Sequence, residues 1–204
     1  MLAIFSLVVL FFSIMLHEIA HGSIALQLGD PTAKNAGRLT LNPIKHIDPF
    51  GTVILPLLLL VLTAGRGPII GWAKPVPINP FNFRDQRWGT LKVSVAGPAT
   101  NFVVGIIFGL VLRFVSLPQT LSLLFSIIVL YNFAWGIFNL IPIPPLDGSH
   151  ILFSLLPDKF NQFKAFLQQY SLFILLFFIF LGLQWIFVTA SILFSLVVGQ
   201  SFVI

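Results

Sequence analysis

Cysteine is absent from the 204 residues, which excludes disulfides, thiolate metal sites and cysteine nucleophiles. Charge is scarce: Asp, Glu, Lys and Arg make up 8% of the chain, where a soluble domain carries roughly a quarter. Glutamate is scarcer still. Glu18 is the only one, and the other carboxylates are Asp30, Asp48, Asp85, Asp147 and Asp158. A basic n-region is also missing from the apolar N-terminus, so that segment is expected to be retained rather than removed as a signal peptide. The net charge of +5 comes with no basic helix and no aromatic-basic interleaving, so nucleic acid is excluded as a partner. Lys and Arg flanking membrane spans account for the charge more simply.

Apolar residues make up 57% of the chain and the mean hydropathy is +1.02. Several runs approach or exceed the ~17–25 residues that cross a bilayer. Candidate spans are 3–28, 91–115, 121–141 and the tract 171–204, which has room for a tight hairpin around Gly182–Trp185 or for one span with a tail. A shorter run, 51–65, is interrupted by Pro56, and its helix would reach only ~22 Å. Against a ~30 Å hydrocarbon core, it reads as a tilted span or as a re-entrant or interfacial segment. The connections 29–50 and 66–90 are rich in Gly, Pro and Asn, which leaves extended edge strands and turns. In 158–170, Phe160, Phe163, Phe166, Leu167 and Tyr170 recur at helical spacing among polar residues. That pattern suits a helix lying in the membrane interface, or an ordinary packed amphipathic helix. No polar tract is long enough for a separate soluble domain of ~50 residues, so residues 1–204 form a single domain.

One apolar run carries a dense polar cluster, "MLHEIAHGS" at 15–23. His17 and His21 are four apart and share a face of a helix. That spacing lets two imidazoles grip one metal ion while Glu18 beside them handles a proton. The alternative is a hydrogen-bonded histidine pair with a counter-charge. An ionisable residue at mid-bilayer costs about 2.5–3.5 kcal/mol or more, so it needs a partner or a purpose. With four histidines in the chain, the sole glutamate gains both neighbours by chance roughly four times in ten thousand. A catalytic zinc takes three protein ligands and an open position. No second glutamate exists, so the third ligand must come from the aspartates or from His46 and His150. Asp147 stands out because "NLIPIPPLDGSH" directly follows an apolar span, and its prolines end that helix. Taken alone, "LDGS" reads equally well as a capping or turn aspartate.

Topology favours Asp147. If 51–65 does not cross the bilayer, spans 91–115 and 121–141 form a down-and-up pair that returns Asp147 to the side of the histidines. The same assignment gathers Lys34, Arg38, Lys45, Arg66, Lys74, Arg84, Arg87, Lys92, Lys159 and Lys164 on that face and leaves only Arg113 opposite. Such an asymmetry marks the face as cytoplasmic.

Three stretches, "HEIAH" at 17–21, "AGPATNF" at 96–102 and "NLIPIPPLDG" at 139–148, resemble the site-2 protease family of intramembrane zinc metalloproteases, peptidase M50. "GWAKPVPINP" at 71–80 and "LTLNPIKHIDPFGT" at 39–52 resemble its compact bacterial members, which have no PDZ or CBS module. The resemblance implies an all-α polytopic membrane protein with about five to six transmembrane helices. It also implies short extended segments and a re-entrant or interfacial segment near the active-site face. The catalytic core would occupy about 1–150, followed by C-terminal hydrophobic helices in 171–204. It implies that His17, His21 and Asp147 bind one Zn2+ per chain, that Glu18 activates water, and that Asn139 holds substrate or stabilises the oxyanion. The reaction would be hydrolysis of a peptide bond within or near the transmembrane segment of a membrane-protein substrate. The protein would be multi-pass in the plasma membrane of a prokaryote, with lipid as its surroundings and the active site towards the cytoplasm. By contrast, Gly97-Pro98-x-x-Asn101 is read structurally, as a kinked, closely packed start to its span. The rival reading is a non-catalytic metal or proton transporter with His17, Glu18 and His21 as a relay, although polar groups concentrated at one place suit a transporter poorly.

Overall fold

The computed structural model describes residues 2–62 and 73–200. The opening apolar run forms α1 (Leu2–Gln27), which ends where Gly29 turns with φ of +109° ahead of Asp30 and Pro31. A short helix, α2 (Thr32–Asn35), follows, and Pro43–His46 adds a single 3-10 turn. Asp48 then accepts hydrogen bonds from the amides of Phe50 and Gly51, capping a π-helical turn (Pro49–Ile54) that leads into α3 (Leu55–Leu62). After the Pro80–Asn82 turn come α4 (Gln86–Phe114), capped by Asp85 accepting from Trp88 N, and α5 (Gln119–Asn139). The chain continues through α6 (Asp147–Leu155) and α7 (Asn161–Gln169) to α8 (Ser171–Val198).

Four of these helices, α1, α4, α5 and α8, are long and apolar enough to cross a membrane. That is fewer than the five to six expected, for two reasons. The 171–204 tract makes one continuous 28-residue helix rather than a hairpin. The described part of 51–65 contributes the π-helical turn and α3, which together fall short of a span by length. No strand occurs among the described residues, against the expected extended edges. Pro75, Pro77 and Pro80 remove ladder donors from that stretch, and the amides of Val76 and Asn79 bond to the carboxylates of Glu18 and Asp30 instead. The anchor expected at Trp72 and the cation Arg66 lie outside the described residues.

Helix α4 is the centre of the bundle, packed on α1, α5, α6 and α8. Glycines make this possible, as small residues do wherever membrane helices approach closely. A Cβ on Gly105 would run into the Phe133 ring of α5, and one on Gly109 into Val197 of α8. The main apolar core joins Val129, Leu130, Phe133 and Ala134 of α5 to the stripe Ile186, Ala190, Phe194 and Val198 of α8, spaced four apart. At the far end, Arg113 of α4 donates to the carbonyls of Leu196 and Val197, satisfying orphan acceptors at the C-terminus of α8. In α7 the aromatic residues Phe163 and Phe166 face outward, with Phe160 and Tyr170 exposed beside them, as the interfacial reading of 158–170 expects.

Lys74 N donates to His46 O at 2.9 Å, and the Arg38 guanidinium donates to the carbonyls of Lys74 and Pro75. The backbone leaves residue 46 and comes back to the same point at residue 74. One crossing of a ~30 Å layer would separate those ends, so the excursion starts and finishes on one side of the bundle. The start of α4 then packs beside the end of α1, with Val93 and Phe83 against Ala25.

Candidate metal centre

His17 and His21 lie on the buried face of α1, with ring centroids 4.5 Å apart. Asp147 arrives from the opposite direction, as the first residue of α6. The segment 140–146 folds back over the end of α5, and both the amide and the hydroxyl of Ser149 donate to Leu146 O to start the helix. The close return requires glycine at 148, because a Cβ there would collide with the carbonyl of Leu140. At the other end of α6, Arg87 donates to the carbonyls of Ser154 and Leu155, and Lys164 to that of Leu156.

The result is convergence. Asp147 Oδ2 lies 3.0 Å from His17 Nε2 and 3.2 Å from His21 Nε2, and the three ligand atoms fall within 4.8 Å of one another. Zinc held tetrahedrally at ~2.0–2.1 Å from its ligands separates them by about 3.3 Å, so the spacing fits. The donor set fits as well. Asp147 Oδ2 is buried and accepts no hydrogen bond. Burial opposes its charge while the two neighbouring imidazoles favour it, and a metal ligand must be ionised. Each histidine uses its other nitrogen elsewhere: His17 Nδ1 meets Asn101 Oδ1 at 2.7 Å, and His21 Nδ1 meets Val93 O at 2.7 Å. Pro98, inside α4, cannot donate to the Ser94 carbonyl one turn back, and Val93 O is the acceptor next to that gap.

Glu18 is half-buried beside the histidines, and its Oε2 accepts from Val76 N at 2.8 Å. Val76 stands between Pro75 and Pro77, neither of which has an amide N–H to offer. Asn139 is buried in the last turn of α5, where its side-chain amide donates to Trp135 O, and the indole of Trp135 packs edge-on to His17. The other candidate ligands stay away from the cluster. His46 is buried in its turn against Thr40 O, and His150 points outward from α6. Asp48 and Asp85 cap helices. Gly97-Pro98-x-x-Asn101 lies in the middle of α4 rather than at its start, and Asn101 touches the site directly, which the structural reading of that motif missed. Its signal was an amide inside an apolar helix, a group that has to find a partner.

Asp30 ties the neighbouring segment in place. It is fully buried and accepts from Asn79 N and Asn82 Nδ2, both at 2.7 Å, and from the amide and hydroxyl of Thr32. Burial raises its pKa, but these donors favour the charged form and hold it below the usual carboxylate range. A depressed carboxyl contributes stability above its unfolded pKa of ~3.9 and loses it as pH falls further. Asp30→Asn is expected to cost about 1–3 kcal/mol at pH 7, because buried donors lose their acceptor. Thermal unfolding in detergent checks this: the wild-type midpoint falls below pH 4 while the variant, already low, changes less.

A family profile described as "Peptidase family M50" matches residues 115–182, which include α5, Asn139 and Asp147. "Putative zinc metalloprotease YwhC" of Bacillus subtilis (strain 168) is 39% identical over 178 residues, covering 83% of this chain and 77% of that protein. The chain belongs to peptidase family M50. "Putative zinc metalloprotease Rip2" of Mycolicibacterium smegmatis is 32% identical, over 67% of this chain and 51% of its own length. "Zinc metalloprotease MJ0392" of Methanocaldococcus jannaschii is 27% identical, over 78% and 36%. No solved structure matches the chain. This M50 protein is a membrane metalloprotease, and its His–His–Asp group is where a metal ion fits.

Proposed function

We propose that the chain is a zinc-dependent intramembrane endopeptidase, a single domain over 1–204 that hydrolyses a peptide bond within or near the transmembrane segment of a membrane-protein substrate. The observation that carries this reading is the meeting of His17 Nε2, His21 Nε2 and Asp147 Oδ2 beside the only glutamate in the chain. These three residues would hold one zinc ion. Bound there, zinc supplies a Lewis acid for the scissile carbonyl and a lowered pKa for water.

The remaining chemistry belongs to the chain. Glu18, oriented by Val76 N–H, takes a proton from the attacking water and delivers it to the departing amine. Asn139 gives up its bond to Trp135 O and offers its amide to the developing oxyanion. The site lies towards the cytoplasmic side of a prokaryotic plasma membrane. The bias of cations to one face that this topology implies and the closure between residues 46 and 74 both support that orientation.

The test uses purified protein in liposomes with a panel of single-span substrates. Cleavage whose new termini fall in the membrane segment is expected, with loss on chelation and recovery on adding zinc. Absence of cleavage across the panel, together with chelator-sensitive zinc or proton flux, would establish the transporter reading instead.

A further inference from the structure

We infer that Asn101 is a positioning residue that fixes the tautomer of His17, so that its Nε2 lone pair faces the metal centre. The inference deepens the proposed function and rests on zinc being held by His17, His21 and Asp147. Its basis is a chain of hydrogen bonds whose direction has no freedom. Asn132 Nδ2 donates to Ile128 O at 2.9 Å, and a carbonyl cannot donate back. Asn132 Oδ1 is thereby left as an acceptor, and it receives Asn101 Nδ2 at 3.1 Å. The same Asn101 nitrogen donates to Ser13 O at 3.1 Å. A carboxamide has two N–H groups, and both are now taken. Asn101 can offer His17 only its oxygen.

The group at 2.7 Å from that oxygen, His17 Nδ1, must therefore carry a proton. In neutral imidazole that leaves the lone pair on Nε2, the atom 3.0 Å from Asp147 Oδ2. Two main-chain carbonyls, Ser13 O on α1 and Ile128 O on α5, thus dictate through two amides which nitrogen of His17 can bind metal. Asn101 and Asn132 are both fully buried, so water cannot substitute for either. His21 reaches the same state by another route, through Val93 O, and serves as an internal control.

The experiment labels the four histidines with 15N in the purified protein and reads each tautomer by NMR in the metal-free state, at a pH high enough to keep the rings neutral, alongside zinc affinity from chelator competition. Asn101→Leu keeps the volume and removes the acceptor. His17 is expected to shift from Nδ1–H to a mixture or to Nε2–H while His21 stays Nδ1–H, and zinc affinity to fall about 10–100-fold. Should Asn101→Leu fail to fold, Asn101→Ser carries the same comparison, because its hydroxyl is too short to reach the ring. A folded Leu or Ser variant whose His17 remains Nδ1–H, with zinc affinity within twofold of wild type, would overturn the inference. The metal reading fails separately, if wild type takes up no zinc or His17→Ala keeps it, and the tautomers of the metal-free protein still decide the role of Asn101.

Discussion

Glu18→Gln is expected to lower the cleavage rate by about 10²–10⁴-fold, the usual contribution of a positioned proton-transfer group, while zinc content stays at one per chain. Glutamine has the same shape, and its amide oxygen can still accept from Val76 N, the contact that holds Glu18 now. The ligand atoms belong to His17, His21 and Asp147 and are untouched. What disappears is the ability to take a proton from water and return it to the amine. Single-turnover cleavage and metal analysis on the same preparation separate the possibilities. Activity retained in the variant would remove Glu18 from the chemistry. Activity and zinc lost together would show that its contribution is structural.

Gly97→Ala is expected to abolish zinc binding, and activity with it, while leaving the bundle helical. An added Cβ would sit 2.6 Å from His17 Nε2 and Cε1, and nearer still to His21 Nε2, far inside the ~3.5–4.0 Å of ordinary contact. Backbone movement offers little relief, since α4 is enclosed by α1, α5, α6 and α8. The imidazoles must give way by about an ångström, and displacement on that scale costs ~10²-fold in rate even where binding survives. Both rings are also pinned from behind, by Asn101 and by Val93 O, so they cannot move without breaking a buried hydrogen bond. Zinc titration of the purified variant, with circular dichroism as the fold control, is the measurement. An alanine variant that binds zinc at wild-type affinity would mean that α4 yields where the packing says it cannot.

The cluster of His17, His21 and Asp147 was legible in the sequence because its residues are expensive where they stand. Two histidines and the sole glutamate in an apolar helix demand an explanation, and the short inventory of carboxylates narrowed the third ligand to a few positions. Asp147 followed from chain parity, which the contact between Lys74 and His46 supports. The partners that orient the site were not legible. His17 and Asn101 are 84 positions apart, and no local pattern announces a pairing set by the crossing of α1 and α4. The path of 171–204 was open in the sequence between a tight hairpin around Gly182–Trp185 and one span with a tail. In the fold Gly182 stays helical, packed against Phe178, and a helix surrounded by lipid has no better way to satisfy its backbone.

The backbone bond between residues 46 and 74 has an engineering consequence. It brings the two ends of the intervening chain, residues 46 and 74, together at one point on the bundle. Arg38 reinforces that closure through the carbonyls of Lys74 and Pro75. A cut within 74–82 would therefore release Glu18 and Asp30 from the partners they have in that stretch.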